Sequence, residues 1–306
     1  MRFVSSDELA ELLPMVQAVD ALERTFGSTT TAEAPLRSHV EVPSGTLLTM
    51  PAAGDDGVGV KLVTLNPTNP DNGLPFIHGV YVLFSAATLE PEAIIDGGAI
   101  TALRTAAVSG LATRHLARED ASRLVIFGAG TQGYSHLDAM LAVRPIASVT
   151  VVCRSADPAD ELATRARSFG LEATVGDPAS VGHADIVCCC TTSPTPVFDG
   201  SLLPDGCHVN AVGAYTTDTR ELDDATMSRA KIVVEERGAA LAEAGDIVIP
   251  LESGAIEGES VVADLFEVIA GQPVRSSEGD VTVFKSVGIA FEDLAIARAV
   301  VDKLSP

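Results

Sequence analysis

Three glycines in the stretch Gly128-Ala129-Gly130-Thr131-Gln132-Gly133 have the spacing that lets a backbone close around a pyrophosphate. The first glycine permits the tight turn, the second lets main chain approach the phosphates, and the third lets the following helix pack on the preceding strand. The phosphates then lie at the positive end of that helix, beside Thr131 and Gln132. About 20 residues further on, dinucleotide folds that take NAD(H) usually carry a carboxylate for the ribose hydroxyls. Here a cation and a hydroxyl donor, Arg154-Ser155, end the next strand. A carboxylate repels a 2′-phosphate, whereas a guanidinium and a hydroxyl bind it, a charge-assisted hydrogen bond contributing roughly 1.5–3 kcal/mol. NADP(H) is therefore expected ahead of NAD(H), which stays open. The plain alternative leaves Arg154 in solvent, with Asp157 nearby as a helix cap.

A second kind of chemistry lies in two cations. Lys61 interrupts the apolar run 58–65, and Arg104 lies inside the alanine-rich stretch 99–116 with few charged neighbours. A buried cation is costly unless paired. Its partner can be an anionic ligand or, more plainly, a carboxylate of the chain itself.

Such residues need particular elements to position them. Before the glycines, Leu124-Val125-Ile126-Phe127 reads as a buried parallel strand, and 135–141 after them has helical character without a breaker. Strands near 123–127, 148–153, 171–175, 185–190, 207–212 and 231–235 alternate with helices near 131–143, 158–168 and 223–229. That alternation predicts a doubly wound parallel sheet. Upstream, the β-branched runs 46–50, 58–65 and 80–84, separated by Gly, Pro and Asn, predict an antiparallel or mixed sheet. A short strand and a helix starting at Ser6-Asp7-Glu8 open the chain, and a helix over 99–116 joins the two sheets. After Asp280, a strand at 281–284 precedes a helix from about 289 to 303, which is expected to return to the first domain.

The 306 residues suffice for two domains with their own cores. With 46% hydrophobic and 20% charged residues, the composition is ordinary for a soluble α/β enzyme. A formal charge of −22 argues against nucleic acid or an anionic membrane as a partner. The opening Ser5-Ser6-Asp7-Glu8 does not read as a secretory signal, and the uncharged stretch 72–89 reads as strands, so a cytoplasmic location is expected. Cys188-Cys189-Cys190 falls on an apparent strand, where neighbours point to opposite faces, and no Cys-x-x-Cys occurs. Buried thiols are expected, and no metal site.

Several segments together resemble the ornithine cyclodeaminase/mu-crystallin family. They are Val60-Lys61-Leu62-Val63, Leu103-Arg104-Thr105-Ala106-Ala107, the glycine motif, His208-Val209-Asn210-Ala211-Val212-Gly213, Arg220-Glu221-Leu222-Asp223, and Val283-Phe284-Lys285-Ser286-Val287-Gly288. They stand in the family's order over nearly the whole chain. The resemblance implies an α/β architecture: a Rossmann domain with a discontinuous α+β substrate and dimerisation domain built from both chain ends. The corresponding segments are 1–117, 118–280 and a C-terminal return over 281–306, in a homodimer. It also maps the family's carboxylate-binding cations onto Arg37, Lys61 and Arg104. Members that cyclise ornithine carry an Asp two residues after the glycine equivalent to Gly213, and a Lys before the Glu-Leu pair. Here those places hold Tyr215 and Thr219, and Leu48 replaces a further acid ahead of Met50-Pro51. A phenol with an ordinary pKa of about 10 is a poor base near neutrality, so the resemblance points to the reductase and mu-crystallin branch.

The activity implied is NAD(P)H-dependent reduction of a C=N bond beside a carboxylate. Its substrates would be small anionic imino acids such as Δ1-pyrroline-2-carboxylate or Δ1-piperideine-2-carboxylate, giving proline or pipecolate. Lys61 and Arg104, with Arg37, would anchor the carboxylate, and His78 is the candidate for proton delivery, with a structural role as its alternative. Ser286, Val287 and Gly288 are expected on the nicotinamide side. Thr191 and Thr192, after the fourth strand, and Val212, ending the fifth, are expected to face the cofactor. The alternatives are an alanine-type dehydrogenase, a cyclodeaminase with other acid/base groups, and a mu-crystallin-like NADPH-dependent ligand-binding protein.

Overall fold

A computed structural model of the chain describes residues 1–28, 33–55 and 57–304. Its first elements are β1 (Arg2–Val4), α1 (Ser6–Leu12), α2 (Met15–Phe26), β2 (Ser38–Val42), β3 (Gly45–Gly54), β4 (Gly57–Leu65), β5 (Ile77–Phe84), β6 (Pro91–Asp96) and α3 (Gly97–Leu116). Next come β7 (Arg123–Phe127), α4 (Thr131–Val143), β8 (Ser148–Val152), α5 (Ala156–Ser168), β9 (Glu172–Val175), β10 (Ile186–Cys189) and β11 (His208–Ala211). The last are α6 (Asp224–Arg229), β12 (Lys231–Val234), α7 (Arg237–Glu243), α8 (Gly245–Ser253), β13 (Val261–Asp264), α9 (Leu265–Ile269), β14 (Thr282–Lys285) and α10 (Ala290–Leu304). The chain divides into two compact units: Met1–Arg104 with Gly288–Pro306, and Thr105–Val287.

The first unit carries a six-stranded sheet in the order β1-β6-β5-β4-β3-β2. Only β1 pairs in parallel, so the sheet is mixed. β4 shows why the apolar runs become strands: residues 57, 59, 61 and 63 are buried, and 62 and 64 exposed, the period of two of a pleated strand. α10 packs on β3, β4, β5 and α2, with Phe291 edge-on to Phe26 at 5.3 Å between ring centres. Residues 290–297 are all buried, the pattern of a helix enclosed on every side. The sheet face away from α10 exposes Val40, Val42 and Leu62.

The second unit is an eight-stranded sheet, β13-β12-β14-β11-β10-β7-β8-β9, in which every pairing is parallel. From β7 the chain steps outward to β8 and β9, then crosses to the other side of β7 to form β10. The reversal between β7 and β10 is the switch point at which α/β sheets bind ligands, outside the carboxyl ends of the strands.

The units part inside α3 and directly after β14, whereas the sequence reading placed the junctions after 117 and after 280. β14 does not leave with the C-terminal return: it pairs between β11 and β12. All four of its residues are buried, as a strand covered on both faces requires. Among the described residues no helix is long and apolar enough to cross a membrane.

Candidate active site

In the first unit the alternation of β4 turns Lys61 to the face covered by α10, opposite Met50 of β3 and Tyr81 of β5. Lys61 Nζ donates to Asp293 Oδ1 at 2.8 Å and stands the same distance from Oδ2. Arg104 Nη1 donates to Glu292 Oε2 at 3.0 Å, and its Nε lies 3.3 Å from Asp293 Oδ1. Arg37 Nη2 donates to the carbonyl of Gly288 at 2.7 Å. Gly288 adopts φ +83°, and a Cβ there would fall 2.3 Å from Arg104 Nη1, so both backbone and guanidinium require glycine. Burial lowers Lys61 from its ordinary 10.5 to about 8; Arg104 and Arg37 lower it further, and Asp293 opposes them.

The three cations foreseen from the sequence thus converge on the start of α10. For Lys61 and Arg104 the plainer partners are also present, in Glu292 and Asp293, which the sequence reading did not single out. Their signal was available: two adjacent acids inside the apolar stretch 289–297. Three cations thus meet two buried carboxylates here, in a chain whose formal charge is −22. The phenol of Tyr81 lies over Gly59, where a Cβ would fall 2.0 Å from its oxygen, and burial raises its pKa.

His78 does not join this cluster. It stands three residues before Tyr81 on β5, an odd step that sends it to the opposite face, where it is exposed and pairs with exposed Thr64. On this geometry the expectation that His78 delivers the proton is withdrawn.

In the second unit the glycine turn joins β7 to α4, and each glycine has a different geometric duty. Gly128 adopts φ +96°, and a Cβ on it would fall 2.5 Å from the carbonyl of Cys190. A Cβ on Gly133 would fall 2.1 Å from the carbonyl of Gly128. Gly130 has nothing within 4 Å of that position, is exposed with Thr131, and caps α4 without a side-chain bond. A tight turn, a close helix–strand contact and an open middle position are what a pyrophosphate cradle needs.

Arg154 and Ser155 follow β8, and both are exposed. Arg154 makes no ion pair with a described residue, and Ser155 is the N-cap of α5 without using its hydroxyl there. Asp157 lies in the first turn of α5 rather than at its cap. Thr192 is exposed and Val212 half-buried. The Ser286 hydroxyl donates to Glu235 Oε1 at 2.8 Å, and Val287 N to Oε2 at 3.3 Å, so Ser286 is held by a buried carboxylate. Glu221 ties Thr191 to Gly213 in a similar way. The sequence marked Glu221 only as part of the segment Arg220-Glu221-Leu222-Asp223, without a role, and Glu235 not at all, because their partners are distant along the chain. Burial pushes the thiols of Cys188 and Cys207 up to about 12 and raises that of Cys189 well above its ordinary value. Among the described residues no three His, Cys, Asp or Glu side chains converge as metal ligands.

Comparison with known proteins adds full-length likenesses. The model of the ornithine cyclodeaminase/mu-crystallin family matches residues 2–306. The Δ1-pyrroline-2-carboxylate reductase of Bacillus cereus (strain ZK / E33L) is 36% identical, over 99% of this chain and 96% of that protein. Among solved structures, Thermococcus litoralis Δ1-pyrroline-2-carboxylate reductase in complex with NADH and L-proline aligns with a TM-score of 0.94 at 35% identity, covering 99% of this chain and 97% of the other. An archaeal alanine dehydrogenase dimer with bound NAD gives 0.92 at 32% identity, covering 98% and 95%.

Proposed function

The chain belongs to the ornithine cyclodeaminase/mu-crystallin family, and from that premise we propose that it is an NAD(P)H-dependent reductase of cyclic imino acids. The substrate class is a C=N bond beside a carboxylate, with Δ1-pyrroline-2-carboxylate as first choice and its six-membered homologue next; the products are proline and pipecolate. The observation that carries this reading is the convergence of Arg37, Lys61 and Arg104 on the start of α10. Converging cations of this kind suit the carboxylate of an anionic substrate. The likeness to pyrroline-2-carboxylate reductases along the whole chain supports the same class. Tyr215 and Leu48, where ornithine-cyclising relatives need acids, speak against cyclisation.

When bound, the reduced nicotinamide supplies a hydride to the imine carbon. The chain's own residues do the rest. Arg37, Lys61 and Arg104 hold the carboxylate and thereby fix the ring; positioning of this kind can contribute several kcal/mol. The imine nitrogen takes one proton as the carbon takes the hydride. Lys61, with its pKa lowered to about 8, replaces His78 as the proton source near neutrality. Gly128, Gly130 and Gly133, with Thr131 and Gln132, hold the pyrophosphate, and Thr191, Thr192, Val212, Ser286 and Gly288 complete the cofactor site. The unspent Arg154 guanidinium and Ser155 hydroxyl favour NADP(H) over NAD(H).

A homodimer is supported by the apolar sheet face carrying Val40, Val42 and Leu62, and the archaeal relative is a dimer. Free thiols are at home in the cytoplasm.

The test mixes purified protein, NADPH or NADH, and the cyclic imine, and follows loss of the reduced-nicotinamide absorbance with identification of proline. Tight binding without oxidation would make the protein a ligand binder. Turnover of pyruvate with ammonia in place of the imine would make it an alanine-type dehydrogenase.

A further inference from the structure

At the carboxyl ends of β10 and β11 lies a set of buried charges that the reaction leaves unused. Glu221, Asp246 and Lys285 are all fully buried. Glu221 Oε1 accepts from the Thr191 amide and hydroxyl, both at 2.7 Å, and Oε2 accepts from the Gly213 amide at 2.7 Å. Asp246 Oδ1 accepts from the amides of Glu221 and Leu222 at 2.8 and 2.9 Å, and its Oδ2 stands 2.8 Å from Lys285 Nζ. Lys285 also donates to the carbonyl of Ala214.

One carboxylate therefore ties the segment after β10 to the segment after β11. The fit is close: a Cβ on Gly213 would fall 1.9 Å from the carbonyl of Thr191. The contact runs on to the glycine turn, since Gly128 lies against the carbonyl of Cys190. All three groups hydrogen-bonded to the Glu221 side chain are donors, so only the ionised carboxylate can satisfy all three. An amide in its place would set an N–H against an N–H and release one segment. That selectivity distinguishes a splint from a filler of space.

We propose that Glu221 is a positioning residue of the cofactor site, fixing the segments after β10 and β11 in the shape that receives the nicotinamide half of the dinucleotide. The inference rests on the reading of the second unit as the NAD(P)H-binding unit. Glu221 acts through Thr191 and Gly213 and needs no contact with the reacting atoms.

The same geometry gives the splint a pH dependence. Burial pushes the Glu221 carboxyl up, Lys285 pulls it down, Asp246 pushes it up again, and the Thr191 bonds lower it. The groups facing it are Lys285 of β14, Asp246 of α8, and the thiols of Cys189 and Cys190 at the end of β10, which stay protonated because burial raises them. Protonation of Glu221 in mild acid places an O–H where an N–H already points, and one segment is released.

The experiment measures binding of NADPH and of 2′-phospho-ADP-ribose, the same molecule without nicotinamide, to the full chain and to E221Q and E221D. E221Q should bind NADPH about tenfold more weakly and 2′-phospho-ADP-ribose as wild type does, and E221D should recover part of the loss. Wild-type affinity for NADPH should fall in mild acid, relative to the nicotinamide-free probe, and E221Q should lack that fall. Unchanged NADPH binding by E221Q, or equal loss of both ligands, overturns the proposal. Should E221Q not fold, a wild-type NADPH affinity that does not change into mild acid overturns it equally. A wild type that binds neither NADPH nor NADH overturns the cofactor reading itself, and this inference with it.

Discussion

Raising the pH through 8 should loosen the hold on an anionic ligand, because Lys61 is the cation of the cluster that loses its charge in that range. A guanidinium, by contrast, keeps its charge at any working pH. With Lys61 lowered to about 8, roughly nine-tenths of it is charged near pH 7 and about one-tenth near pH 9. A ligand that requires the charged form should therefore bind about tenfold more weakly at the higher pH. Pyrrole-2-carboxylate is a suitable probe, since its carboxylate stays ionised and its ring nitrogen does not titrate over this span. Binding is read by calorimetry at saturating NADPH, at several pH values. Lys61→Met, which removes the charge, should bind the probe roughly 10- to 100-fold more weakly near neutrality and show no pH dependence. A wild-type affinity that is constant between those pH values, or a slope that survives in Lys61→Met, would refute the assignment of Lys61 to the carboxylate.

Three further outcomes follow from the same geometry. Arg154→Asp should lower NADPH affinity by about 10- to 150-fold while sparing NADH; an unchanged ratio of the two dissociation constants removes the 2′-phosphate reading. Gly130→Ala has open space for its methyl and should keep the wild-type melting temperature while losing cofactor affinity, whereas Gly133→Ala meets the carbonyl of Gly128 at 2.1 Å and should lose both; equal behaviour of the two in calorimetry and thermal melting would contradict the division of labour. Asp293→Asn removes the carboxylate shared by Lys61 and Arg104 and should destabilise the fold by about 3–5 kcal/mol in urea, as well as moving the titration of Lys61 to lower pH; a variant as stable as wild type would show that Glu292 alone compensates both cations.

Much of this was legible in the sequence, because the deciding signals are local. The glycine turn is visible as a short buried strand, a fixed spacing and a helix without a breaker, all within residues 124–141. Lys61 and Arg104 stood out as cations in apolar surroundings, which is itself a statement about pairing. The rest depended on contacts between distant segments. Glu221 meets its partners only when the ends of β10 and β11 come side by side. β14 adjoins α10 along the chain, yet pairs with β11 and β12. The face taken by His78 needed the register of β5 against β4, which no composition reveals. Short α7 and α8 escaped notice because Gly238, Gly245 and Pro250 break their periodicity, and α9, over Leu265–Ile269, is too short to show one. β2 alternates only over His39-Val40-Glu41-Val42, too short a run to read, and all five of its residues are exposed along the edge of the sheet.

The place of β14 has a consequence for how the protein is made. Strands β12 and β13 are synthesised earlier but join the remaining sheet only through β14. Until residue 285 has left the ribosome, β11 keeps an open hydrogen-bonding edge and the outboard pair has nothing to dock on. α10, which fills the first unit and supplies Asp293, arrives later still. A nascent chain therefore carries its first sheet without the covering helix and, from β11 onward, a second sheet with an open edge, the condition in which exposed edges recruit other chains and chaperones matter most. A fragment ending at Asp280 should collect in aggregates, and the tail, though only a small part of the molecule, closes both halves at once.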